Sequence, residues 1–140
     1  MHQDLLYAKD MLFGGNYTCV FCRGNALFTD DRRGIRPLLE LIDRKIDLQN
    51  FSVADKVVGK AAALLYCHVG ICRVYAPIIS RPALEILEQN GIFVQFEAAV
   101  PAIRNRDDTD LCPMEKAVWH ITDPAQAVCA VRAALSELQK

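Results

Sequence analysis

Phe51-Ser52-Val53-Ala54-Asp55-Lys56-Val57-Val58-Gly59-Lys60-Ala61-Ala62-Ala63-Leu64-Leu65 is the stretch from which the fold is read. A short β-rich run, Phe51 to Ala54, gives way to a largely apolar segment over 56–67 that reads as a helix. The same succession then repeats. Arg73 to Ile79 reads as a strand ended by Ser80-Arg81-Pro82, residues 82–89 as a helix closed by Asn90-Gly91, and Ile92 to Phe96 as a further strand. Strands alternating with helices at this spacing predict parallel strands joined by right-handed crossovers.

Upstream, Leu5, Leu6, Ala8, Met11 and Leu12 recur near helical spacing and Gly14-Gly15 stops them, so the spacing predicts a helix over 3–13. Tyr17 to Cys22 and Ala26 to Thr29 flank Arg23-Gly24-Asn25, which reads as a hairpin. A second helix follows with Pro37 in its first turn, and Leu38, Leu39, Leu41, Ile42 and Ile46 form its apolar stripe. Downstream, Arg104 to Asp110 is the most hydrophilic loop, Pro113 starts a short helix, and Asp123-Pro124 reads as the cap and first residue of a last one. Val128, Val131, Leu135 and Leu138 give that helix its buried stripe. The pattern is α/β, one domain over 1–140, with an antiparallel hairpin feeding a parallel sheet.

At 140 residues and 52% hydrophobic composition the chain can fill a core without staples, and disorder is excluded. The 16 basic residues are matched by 17 acidic ones, leaving −1, so no basic stripe recommends a nucleic acid. The longest purely apolar run, Ala61 to Leu65, is too short for a bilayer, and residues 1–14 lack the basic-then-apolar pattern of a signal peptide. The expectation is a soluble cytoplasmic domain with no membrane partner, its six cysteines mostly small buried hydrophobes.

Cys19 and Cys22 have zinc-like or redox-like spacing, but on a strand residues three apart point to opposite faces. A second ligand pair from Cys67, His68 and Cys72 is conceivable; buried thiols are the simpler reading, and no metal is expected. Cys112-Pro113-Met114-Glu115 places a thiol at a helix cap, with Glu115 positioned to reach back to the cap amide. This leaves open a reactive thiol or a plain cap. Asp107-Asp108-Thr109-Asp110 lacks the glycine and glutamate of a calcium loop and reads as a solvated turn. Arg33 and Arg36 precede the second helix, as either a solvated turn or a phosphate clamp.

The sharpest cluster lies where the first strand of the run meets its helix. Asp55 is read as the helix cap, and Lys56 and Lys60 as one turn apart, attending one anion. Arg81 should open onto the same carboxyl edge of the sheet, where α/β folds place ligands. The competing reading is a capped helix with solvated lysines.

The blocks Arg33 to Glu40, Ala54 to Ala63, Val74 to Ser80 and Leu111 to Val118 resemble a family of small prokaryotic proteins of unknown function with a cytidine deaminase-like fold. The resemblance covers roughly residues 17–135. It implies a three-layer α-β-α sandwich around a mixed sheet: a helix, a hairpin, then the β-α-β-α-β run. Deaminases hold zinc through H-x-E at one helix start and P-C-x-x-C at the next. Here Pro82 is present, Ala83 and Ile86 stand at the cysteine positions, and the other helix start has no histidine. Deaminase activity is therefore not expected.

The leading expectation is a zinc-free, non-catalytic domain whose cleft binds a nucleotide or related phosphorylated metabolite through Asp55, Lys56, Lys60 and Arg81. Arg33, Arg36, Asn105, Arg106, Asp107, Cys112 and Glu115 are secondary candidates. No cofactor is assigned beyond such a nucleotide-derived ligand. The alternatives are a zinc-independent transferase or hydrolase using Cys112 or a cleft carboxylate, and a homo-oligomeric interaction scaffold with its cleft closed.

Overall fold

The computed structural model describes residues 2–138 and contains six helices and six strands. In chain order these are α1 (His2–Gly14), β1 (Cys19–Arg23), β2 (Ala26–Asp30), α2 (Arg36–Asp43), β3 (Ser52–Asp55), β4 (Val57–Val58), α3 (Lys60–Val69), β5 (Arg73–Ser80), α4 (Arg81–Gln89), β6 (Phe93–Val100), α5 (Pro113–Val118) and α6 (Pro124–Leu138). β1 and β2 form the expected antiparallel hairpin, with Gly24 at φ +56° in its turn.

The sheet runs β2-β1-β3-β5, and β4 and β6 both pair with β5. β1 is antiparallel to β2 and β3, whereas the pairs β3–β5, β4–β5 and β5–β6 are parallel. β3 and β4 act as one interrupted strand, since Ser52 lies opposite Arg73 and Val58 opposite Ile79 with the same offset. The interruption falls at Lys56, beside Pro77 on β5. Val57 and Ile78 beyond it are paired and exposed, while Val58 and Ile79 are paired and buried.

Alternation along the strands divides the core in two. Cys19, Phe21, Val53, Val74 and Ala76 join the large core made with α2, α3, α4 and α6. Val20, Cys22, Ala54 and Tyr75 face the other way, onto Leu5, Ala8 and Leu12 of α1. Helices thus cover both faces, and among the described residues the second face is served by α1. Cys19 and Cys22 do face apart, as strand periodicity requires.

Three boundaries differ from the sequence reading by more than two residues. The helix expected over 56–67 begins at Lys60 and runs to Val69, because Val57 and Val58 extend the sheet first. The strand expected to end at Phe96 continues to Val100. Ile46 lies beyond α2, which ends at Asp43, yet still packs against the core.

Candidate functional site

The carboxyl edge of the parallel strands delivers the starts of α3 and α4, as the β-α-β-α-β pattern dictates. Gly59 is the N-cap of α3 and has no side chain to satisfy the orphan amides behind it. Those amides are taken by a distant residue. Glu115, from α5, accepts a 2.7 Å hydrogen bond from the Lys60 amide on Oε1 and a 2.9 Å bond from the Ala61 amide on Oε2. Glu115 as a whole is only 3% exposed. A Cβ built on Gly59 would lie 2.5 Å from Glu115 Oε1, so the glycine leaves the space the carboxylate fills.

Lys60 is also buried, and its Nζ donates to the Trp119 carbonyl at 2.7 Å. Burial lowers the Lys60 pKa, with the Glu115 charge opposing that shift. Burial raises the Glu115 pKa, against the Ala61 and Lys60 amides and the Lys60 charge, which favour the ionised form. The positive end of α3 adds to the stabilisation of the carboxylate.

Asp55 does not cap α3. Its position in β3 precedes the β4 extension, so the helix starts out of its reach; its Oδ2 instead accepts from the Tyr66 hydroxyl at 2.6 Å. Burial pushes its carboxyl up to about 7, with the Tyr66 hydroxyl and the Val57 amide holding it down. Lys56 is likewise not one helical turn from Lys60. It sits in the break between β3 and β4, where its amide donates to the Thr18 carbonyl at 3.0 Å and its side chain is exposed. Glu115 does not reach back to the cap of its own helix; it caps α3, and Cys112, the N-cap of α5, makes no side-chain cap bond. Of the four leading residues the structure ties only Lys60 to another candidate, Glu115.

Arg81 opens α4 at the same sheet edge and is exposed, while the helix is capped by Ser80, whose Oγ accepts from the Ala83 amide at 3.2 Å. Arg33 and Arg36 are exposed around the start of α2. Their neighbour Arg32 is committed, paired with Asp30 at 2.7 Å and Glu40 at 2.8 Å. A cleft of about 210 Å³ lined by Phe21, Phe28, Arg32, Glu40 and Arg44 opens there, away from the starts of α3 and α4. Asn105, Arg106 and Asp107 sit in an exposed turn that bonds to itself: Asn105 Oδ1 accepts from the Thr109 amide at 3.0 Å. Among the described residues no group of three or more His, Cys, Asp or Glu side chains gathers to hold a metal, and no helix is long and apolar enough to cross a membrane.

Sequence reasoning missed Trp119 as a member of this site, and it read Gly59 as allowing close backbone approach without placing it at the helix start. A glycine at a helix start with no capping side chain was the available signal for Gly59, since its amides had to find an acceptor elsewhere. Nothing in the sequence pointed to the Trp119 carbonyl.

A family model described as a domain of unknown function, DUF1893 (TM1506), matches residues 7–135. A crystal structure of a DUF1893 family protein (TM1506) from Thermotoga maritima is similar to this fold, with a TM-score of 0.85 and 28% sequence identity, covering 98% of this chain and 91% of that one. No curated protein matches the sequence.

Proposed function

The chain belongs to the DUF1893 family, and from that premise we propose a non-catalytic interaction domain with a cytidine deaminase-like fold, working without zinc and with its cleft closed by its own side chains. One observation carries this reading: both oxygens of Glu115 occupy the first amides of α3. What supports the deaminase-like architecture is the order of elements, a helix, a hairpin and then strands and helices in alternation around one mixed sheet. Deaminases place H-x-E and P-C-x-x-C at two successive helix starts. Here those starts carry Gly59-Lys60-Ala61 and Arg81-Pro82-Ala83, and alanine offers a metal no donor.

Helix-start amides are where a ligand phosphate would bind. Glu115 supplies that anion internally, so a phosphorylated ligand would first have to expel a buried carboxylate. Titration calorimetry with nucleoside mono- and triphosphates tests the reading, and no saturable heat is expected. Saturable binding that disappears in a Lys56→Ala, Arg81→Ala variant would overturn it in favour of the second reading, a nucleotide-like phosphorylated metabolite held at this edge. The observation favouring that alternative is that Lys56 and Arg81 stay exposed beside the site with no ion pair among the described residues.

A further inference from the structure

Strand β6 closes one side of the sheet and, among the described residues, pairs only with β5. Its eight residues, Phe93-Val94-Gln95-Phe96-Glu97-Ala98-Ala99-Val100, contain no proline, lysine or arginine, and Gln95 to Ala98 are exposed. Natural monomers protect such an edge by shortening it, charging it or covering it. The opposite edge strand, β2, has five residues and ends in Asp30, whose carboxylate is locked to Arg32. β6 has none of these devices except Glu97.

The pattern about Phe96 is self-complementary. Phe93 donates its amide to the Cys72 carbonyl on the β5 side at 3.2 Å, so alternation turns the backbone groups of Phe96 outward. Two copies running antiparallel with Phe96 opposite Phe96 would exchange both backbone bonds at the two-fold axis. That register sets Gln95 of each copy opposite Glu97 of the other, in the closely spaced type of pair. Glu97 Oε2 already accepts from the Tyr75 hydroxyl at 3.1 Å. Its Oε1 is left for the incoming Gln95 amide, which has donors to offer. The two half-exposed Phe96 rings, 39% accessible in a single chain, would meet at the axis.

We propose that a second copy of this chain docks on β6, antiparallel and centred on Phe96, with two Gln95–Glu97 pairs fixing the register. An isologous contact of this kind closes on itself and makes a dimer rather than a filament. In naming the partner, this inference rests on the interaction-domain reading.

Sedimentation equilibrium of the full chain over a concentration series tests it. The parent is expected as a dimer of twice 15.7 kDa. Gln95→Glu sets carboxylate against carboxylate at both pairs and should weaken the dimer roughly tenfold or more. The double variant Gln95→Glu, Glu97→Gln exchanges the roles of the two positions and should restore most of that loss. Phe96→Arg, which brings two like charges together at the axis, should give monomers with unchanged circular dichroism. A monomeric parent, a Gln95→Glu variant that dimerises as tightly as the parent, or a double variant no better than the single one would each overturn the proposal. Nucleotide titration of the same samples reads the cleft separately: binding there would sink the closed-cleft reading while leaving the dimer result intact.

Discussion

The Glu115 carboxylate accepts a hydrogen bond from the backbone amide of Lys60, while the Lys60 ammonium turns away to the Trp119 carbonyl. The two residues are joined as a helix cap and not as an ion pair. Their arrangement ties α5 to the start of α3 through groups that have no other partner there, and removal of the carboxylate therefore leaves donors stranded in the interior.

Glu115→Ala should cost about 2–6 kcal/mol, because two buried amides lose their acceptors and each is worth about 1–3 kcal/mol when left unpaired. Glu115→Gln should cost less, since one carbonyl oxygen remains to accept, although its NH2 then faces an amide donor. Urea denaturation of the two variants checks the ranking. Equal stabilities for parent and Glu115→Ala would mean that Glu115 does not cap α3 in solution.

Gly59→Ala should also destabilise, for a steric reason. The φ of −98° is open to any residue, so no backbone strain enters; the new methyl carbon would meet Glu115 Oε1 at 2.5 Å. The cost should shrink when Glu115 is already alanine, giving a coupling energy of about 0.5–3 kcal/mol in a double-mutant cycle. Strict additivity would mean that the two residues do not share this space in solution.

Much of this arrangement was legible in the sequence, and its gaps have local causes. The strand and helix order from Phe51 to Phe96 followed from hydrophobic period and from glycine and proline punctuation, and the divergence of Cys19 and Cys22 followed from strand geometry alone. The start of α3 was misplaced because Val57 and Val58 suit either a helix or a strand, and only pairing with Ile78 and Ile79 decides between them. That shift of four residues removed Asp55 from the cap and separated Lys56 from Lys60. Glu115 was singled out, but as the cap of its own helix; its actual acceptor role joins positions 55 and 54 residues apart, a distance that no local pattern encodes.

Asp55 sets a pH dependence. Its folded-state carboxyl is pushed up to about 7 from the ordinary aspartate value of 3.8, first by burial. The native chain therefore keeps a proton that the unfolded chain has released, and stability is highest below about pH 4, falls as pH rises, and levels off above about pH 7. The slope attributable to this group approaches about 1.4 kcal/mol per pH unit within that window. Asp55→Asn keeps an acceptor for the Tyr66 hydroxyl and removes the titration. Urea midpoints of parent and variant, compared between pH 4 and pH 8, should converge at the acid end and diverge in favour of the variant as pH rises. Parallel curves would show that Asp55 titrates normally.

Thiol reactivity separates the closed-cleft reading from a cysteine mechanism. Cys129 is exposed, whereas Cys19 and Cys22 are buried and burial raises both thiols. Cys67 is half-buried and pushed up to about 11 by the same cause. Cys72 is half-buried and donates to the Asn50 carbonyl at 3.2 Å. Cys112 is half-buried at the start of a six-residue helix, with Glu115 directed away from it to α3. The thiolate is the reactive species, so access and proton release together set the order of alkylation. Iodoacetamide near neutral pH should modify Cys129 first, with Cys19 and Cys22 reacting only when the chain unfolds, as read by peptide mass mapping over time. A Cys112 that outruns Cys129 would require a stabilised thiolate at the α5 cap, and would bring a covalent transfer mechanism ahead of the interaction domain.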